Sequence, residues 1–222
     1  MLKMKRSVVV FDVDGTLVDS SALMTRALLD ALASEGVTSF HSEEDLRPYY
    51  GPDERGVLRK ILRDAGKGDR AFKVFLKSYE EHHRELMPHL IEGMPELLRS
   101  LRDRRTLRLG LVTGRSQESL DHTLEVFNLA RFFESIHAGS PRGVNKPESM
   151  RKLFADLGVN RNECLYVGDA IADVNSMRQV GVMCISTPFT RPQDIPELER
   201  INPGLVAPSV AELERLLLAN IR

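Results

Sequence analysis

Apolar positions along the chain fall into two kinds of run. Short, nearly continuous ones recur at Ser7–Phe11 (SVVVF), Leu107–Val112 (LRLGLV), Ser135–Ala138 (SIHA), Glu163–Val167 (ECLYV) and Val182–Ile185 (VMCI). Such runs predict strands buried on both faces. Segments with helical period accompany the later ones, at about Pro95–Arg102, Ser116–Phe127, Glu148–Leu157 and Ala170–Val180. Strands alternating with helices predict βαβ units, hence an α/β protein with a parallel sheet covered on both sides. Sites on such sheets lie at the carboxyl ends of the strands.

The interval between the first two strands breaks this rhythm. From Leu17 to about Glu92 the pattern is helical only, over Ser21–Ser34, Asp53–Asp64 and Asp69–Met87. One helix suffices for a crossover. The surplus predicts an all-helical cap domain at residues 17–92, inserted into a Rossmann-like core of residues 1–16 and 93–222. Its hinges are the two crossings near Leu17 and Glu92.

Composition narrows the class without naming it. The 222 residues carry a net charge of −1 with acids and bases interspersed, so no basic face argues for nucleic acid. Two cysteines, Cys164 and Cys184, are too few and too far apart for a disulfide framework or a zinc knuckle. The start, MLKMKR followed by SVVVF, resembles a signal peptide until Asp12 interrupts it. No stretch approaches the roughly 20 apolar residues that span a bilayer. These features predict a soluble, cytoplasmic chain, monomeric or homodimeric, with no membrane partner.

The strand ends carry the chemistry. After the first come Asp12 and Asp14, then Gly15 and Thr16 (DVDGT); positions i and i+2 of an extended chain point to one side. Two carboxylates in one place need an opposite charge. After the second come Thr113, Gly114 and Arg115 at a helix start, where a hydroxyl and free N–H groups suit phosphate. After the third, the loop GSPRGVNKPES holds Lys146, a point charge for phosphate or for acids. After the fourth, Asp169 and Asp173 (GDAIAD) stand four apart, a spacing that predicts one helix face. Singly, each has a plain reading as a helix cap, a turn or a solvated lysine. Together they place acids, a phosphate cradle and a lysine along one sheet edge.

In that order, DVDGTLVDS, LVTGRS, Lys146 and GDAIAD resemble the four motifs of the haloacid dehalogenase superfamily, and the insertion resembles its helical-cap subclass. Within it, the set is most similar to phosphoglycolate phosphatase and its relatives. The resemblance covers about Ser7 to Val182. It implies a phosphatase acting on a small phosphorylated metabolite through an aspartyl-phosphate, with 2-phosphoglycolate the leading substrate. It implies Asp12 as nucleophile and Asp14 as general acid and base. Thr113, Gly114 and Lys146 would hold the phosphoryl group. Mg²⁺ would be held by Asp12, the Asp14 carbonyl and Asp169, with Asp173 steadying Lys146 or a metal-bound water. Other readings are a β-phosphoglucomutase-like sugar phosphomutase, a pyrophosphatase or nucleotidase, and a non-catalytic phosphometabolite binder. Retention of both Asp12 and Asp14 speaks against the binder.

The insertion is less explicit. DLRPYYGPDERG resembles a substrate-facing cap segment, in which Arg47, Tyr49 and Tyr50 would read a small carboxylate or hydroxyl. The plainer expectation is two packed aromatics and a surface arginine. His82 and His83, at consecutive helix positions, do not face each other and are expected on solvated surface. Phe72, Phe75 and Tyr79 read as packing.

Overall fold

The computed structural model describes residues 6–221; the basic start, Met1 to Lys5, lies outside them. Five strands form one all-parallel sheet: β1 (Val8–Phe11), β2 (Arg108–Val112), β3 (Ser135–His137), β4 (Cys164–Gly168) and β5 (Met183–Ser186), in the order β3-β2-β1-β4-β5. The pleat sorts β1 side chains to opposite faces. Val9 and Phe11 join one apolar cluster with Leu111, Leu165 and Val167, while Val8 and Val10 join another with Cys164 and Tyr166. All four β1 residues have no exposed surface, which is why the strand reads as an unbroken apolar run.

Helices cover both faces. On the first lie α5 (Met94–Arg102), α6 (Gln117–Val126) and α10 (Val210–Asn220), through Leu97, Leu98, Leu120, Leu213 and Leu217. On the second lie α7 (Lys146–Leu157), α8 (Ile171–Val180) and α9 (Ile195–Ile201), through Met150, Leu153, Met177 and Leu198. The sequence pattern signalled neither α9 nor α10.

Four further helices are inserted after β1: α1 (Ser21–Ser34), α2 (Glu43–Leu46), α3 (Glu54–Leu62) and α4 (Ala65–Leu86). Helix α4 packs on α1 and α3, burying Ala71, Phe72, Phe75 and Tyr79 along one stripe. The expected aromatic packing is present, with Phe72–Phe75 and Phe75–Tyr79 centroids 5.7 and 5.6 Å apart. His83 continues that stripe one turn on and is wholly buried, contrary to the expectation of solvated surface. Its inward position follows from i, i+4 spacing to Tyr79. The chain enters and leaves the insertion side by side: Val18 bridges Leu90, and the Ile91 N–H donates to the Leu17 carbonyl at 2.9 Å.

The chain turns from one half of the sheet to the other between β1 and β4, and a crevice at such a point is where α/β sheets bind ligands.

Candidate active site

β1 ends at Phe11, and the next residues turn so that Asp12 and Asp14 both line one cavity of about 380 Å³. Gly15 makes the turn possible. Its φ is +65°, and a Cβ there would fall 2.2 Å from the Asp169 Oδ2. Only glycine combines that backbone with that approach.

Lys146 opens α7, two residues before the expected helix start, and its ammonium is the hub of the acids. It donates to Asp12 and, at 2.5 Å, to Asp173. Carboxylate oxygens of Asp12, Asp169 and Asp173 all lie within 4.8 Å of one another. Asp169 and Asp173 do not share a helix face as their spacing suggested. Helix α8 begins only at Ile171, so Asp169 precedes it, while Asp173 in its first turn accepts the Ala170 N–H at 3.0 Å. The convergence is tertiary rather than helical.

Electrostatics follow from burial. Asp12 is pushed up to about 6, first by burial and then by the neighbouring Asp173 and Asp14, with Lys146 pulling the other way. Burial, followed by the charges of Asp173 and Asp12, holds the Asp169 carboxyl well above the usual range. Carboxylates raised by loss of water and by one another are a donor set that a hard divalent cation satisfies.

Asp14 has a different counter-ion. Burial raises its pKa, but the Arg115 guanidinium outweighs this and holds the carboxyl below its ordinary value. Arg115 Nε lies 3.0 Å from both Asp14 oxygens and Nη2 lies 2.6 Å from Oδ1. Ser20, at the start of α1, also donates its hydroxyl to Asp14 rather than capping its helix. Arg115 reaches on to Tyr79 of α4 at 2.5 Å and Thr123 of α6 at 2.6 Å. Sequence reasoning gave Asp14 no arginine partner, since 101 residues separate the two.

The phosphate-cradle residues are split. Gly114 lines the cavity and has open space where a Cβ would project. Thr113 is fully buried beneath it, its Oγ1 3.4 Å from the Arg115 N–H. Behind them, Glu54 of α3 inserts a buried carboxylate at the start of α6, accepting from the Ser116 N–H and the Ser119 hydroxyl, each at 2.7 Å.

The insertion closes the cavity from the other side with Met24, Leu28, Arg47, Tyr50 and Val57. Of the expected packing residues, Tyr49 does pack, edge-on to Phe40 at 5.7 Å. Arg47 and Tyr50 instead line the cavity, which corrects the plainer expectation for both. The turn from α2 into the segment before α3 presents them inward. Arg191, on the loop after β5, lines it too, and no motif marked it in the sequence.

Comparison with known proteins accords with this arrangement. Residues 9–187 match the family model for haloacid dehalogenase-like hydrolases. The chain is 27% identical over 219 residues to a phosphoglycolate phosphatase of Pseudomonas syringae pv. tomato, covering 94% of this chain and 78% of that one. It is 26% identical to the pyrophosphatase PpaX of Bacillus mycoides, covering 96% and 98%. Among solved structures, a hydrolase from Pseudomonas syringae superposes with a TM-score of 0.76 at 22% identity, covering 98% of this chain and all of that one. The fold, the four strand ends and the extent of the match together make this chain a member of the haloacid dehalogenase-like hydrolase family.

Proposed function

We propose that the protein is a Mg²⁺-dependent phosphatase that hydrolyses a small phosphomonoester through an aspartyl-phosphate. The observation that carries the reading is the meeting of Asp12, Lys146, Asp169 and Asp173 at one end of the sheet, beside the Gly114 backbone. The Asp12 carboxylate attacks phosphorus, and the bond from phosphorus to the ester oxygen breaks. Asp14 gives the departing alkoxide its proton, which it must first take up against the pull of Arg115. Water then attacks the aspartyl-phosphate while Asp14 takes a proton back, and inorganic phosphate leaves. Lys146 and the Gly114 N–H hold phosphoryl oxygens, with Thr113 supporting the loop from below, and Asp173 keeps the lysine in place.

Asp12, the Asp14 carbonyl and Asp169 are the residues that would hold magnesium, which when bound neutralises charge on the phosphoryl group and the acids. Residues 17–92 act as the cap, excluding water and contacting the leaving group. Relatives named phosphoglycolate phosphatase favour 2-phosphoglycolate as substrate. The relative named pyrophosphatase, matched over nearly its whole length, supports pyrophosphate as a second reading.

The test is phosphate release from a panel of esters and pyrophosphate with magnesium. Asp12→Asn is expected to lower turnover at least about 1,000-fold, as loss of a nucleophile does, and a chelator to abolish it. No release from any compound by the unaltered protein would overturn the proposal.

A further inference from the structure

Arg115 borders the cavity but has no donor left to offer it. Its side chain has no exposed surface, whereas that of Asp14 is 37% exposed. The Nε–H is shared between the two Asp14 oxygens, and Nη2 meets Asp14 Oδ1 at 2.6 Å and Met87 Sδ at 3.9 Å. Nη1 donates to the Tyr79 hydroxyl at 2.5 Å and to Thr123 Oγ1 at 2.6 Å. A guanidinium has five N–H donors, and all five are committed within the protein. A phosphoryl oxygen would find none free.

The same contacts sort the two oxygens of Asp14. Oδ1 accepts from Arg115 Nη2, from the Nε–H and from the Ser20 hydroxyl. Oδ2 has only its share of the Nε–H among the described residues. A planar fork on a carboxylate fixes its plane as well as its distance. Oδ2 is therefore the oxygen left to handle a proton. The fork is itself held at its far end. Tyr79 stands on α4 of the insertion and Thr123 on α6 of the core, and their hydroxyls lie 2.7 Å apart. Stacking on Phe75, with centroids 5.6 Å apart, fixes the Tyr79 ring.

Resting on the phosphatase reading, we infer that Arg115 is a positioning residue for the proton transfers of Asp14, and that Tyr79 and Thr123 brace it. Arg115 touches neither the substrate nor the reacting phosphorus. It keeps Asp14 Oδ2 turned to the site, and the step that depends on this most cleanly is hydrolysis of the aspartyl-phosphate. There the water oxygen bonds to phosphorus, the bond from phosphorus to Asp12 breaks, and Oδ2 takes the proton that water gives up.

An ester whose leaving group departs as an anion separates the two steps. p-Nitrophenolate leaves without a proton, so with p-nitrophenyl phosphate only the hydrolysis needs Asp14. With magnesium present, Arg115→Met is expected to lower kcat about 100-fold, in the range of general-base catalysis. Because kcat/KM reports the first step, it should stay within about threefold of the unaltered protein. The aspartyl-phosphate then accumulates, giving a burst of p-nitrophenol that approaches the enzyme concentration and protein-bound phosphate after acid quenching. Ethyl phosphate, whose alkoxide needs the proton, should lose kcat/KM as well. Tyr79→Phe keeps the ring and its stacking and is expected to show the same split with a fall in kcat of about tenfold, the effect of one hydrogen bond to a charged group. Arg115→Lys should restore part of kcat, since charge returns without the fork.

A joint fall of kcat and kcat/KM for p-nitrophenyl phosphate, with no burst, would make Arg115 a merely structural residue and overturn the inference. So would a Tyr79→Phe protein that behaves like the unaltered one. A misfolded fraction lowers both parameters alike and cannot imitate the split, and Tyr79→Phe decides the matter if Arg115→Met does not fold. Absence of phosphate release from p-nitrophenyl phosphate, from the other esters and from pyrophosphate by the unaltered protein would instead remove the phosphatase reading, and this inference with it.

Discussion

Arg115 is the largest side chain that the fold buries completely, and its surroundings explain how a guanidinium survives there. Desolvating an ion costs several kcal/mol unless well-placed partners replace water. Asp14, Tyr79 and Thr123 replace it, and Asp14 supplies the opposite charge. His83, on the neighbouring turn from Tyr79, has the opposite problem. Its ring is buried 4.9 Å from that of His122, and its Nε2 lies 3.4 Å from Thr123 Oγ1. Burial first, then the positive charges of His122 and Arg115, push its pKa down to about 4. The unfolded chain therefore binds more protons than the folded one between about pH 6.5 and 4. Stability from this group is fully present above about 6.5 and falls as pH drops toward 4, by roughly 3 kcal/mol. Urea unfolding at pH 7.5 and 4.5 should show His83→Phe losing about 2–3 kcal/mol less than the unaltered protein over that interval. An equal loss in both would assign the acid sensitivity elsewhere.

At the scale of elements, α3 docks the insertion onto the core through its first turn. Glu54 accepts two hydrogen bonds at the start of α6, where a negative charge also meets the positive end of the helix. The Asp53 N–H donates to the Ser140 carbonyl at 2.9 Å. Gly56 lies so close to the core that a Cβ would fall 2.6 Å from the Pro141 carbonyl oxygen. Arg55 and Glu118 also bridge the two parts at 2.6 Å, but both side chains are at least one-third exposed. A buried carboxylate with two donors outweighs a surface pair, by about 1–3 kcal/mol against less than about 1. Glu54→Ala is therefore expected to speed amide hydrogen exchange in α3 and at Ser116, whereas Glu118→Ala leaves both nearly unchanged. Equal effects from the two would remove Glu54 as the anchor.

The elements themselves were unevenly legible. All five strands lie within a residue or two of their apolar runs because burial on both faces writes itself locally. Helix α4 was visible from its stripe, although the depth of His83 was not. Among the described residues, α9 and α10 are followed by single bridging residues, Val206 and Ile221, rather than by strands, so the alternation that marks the others does not announce them. The spacing of Leu213, Leu216 and Leu217 is the signal that identifies α10.

For the whole molecule, the consequential feature is a cluster of acids whose repulsion is only partly answered. Lys146 meets Asp12 and Asp173, but the Asp169 carboxyl remains far above its ordinary pKa. A divalent cation that binds the folded state alone stabilises it by about 2.7 kcal/mol at one hundred times its Kd. For a chain of this size that corresponds to a rise in Tm of roughly 5 °C or more. Magnesium at millimolar concentration is expected to produce such a rise, and Asp169→Asn to abolish it. A melting temperature indifferent to magnesium in the unaltered protein would count against the metal site.

The amino-acid sequence by itself determined the strands, three of the four inserted helices (α2, a single turn at Glu43–Leu46, carries no period to read) and the four strand ends at which chemistry gathers. Those features depend on periodicity and on neighbours a few positions away. Tertiary structure alone decided which group answers which charge: Lys146 meets Asp12 across 134 residues, Arg115 meets Asp14 across 101, and the Ser116 N–H meets Glu54 across 62. It also turned Arg47 inward to share a cavity with Arg191. Counter-ions are chosen by distance and by the loss of water around a group, and neither quantity exists until the sheet is assembled and the helices close over its edge.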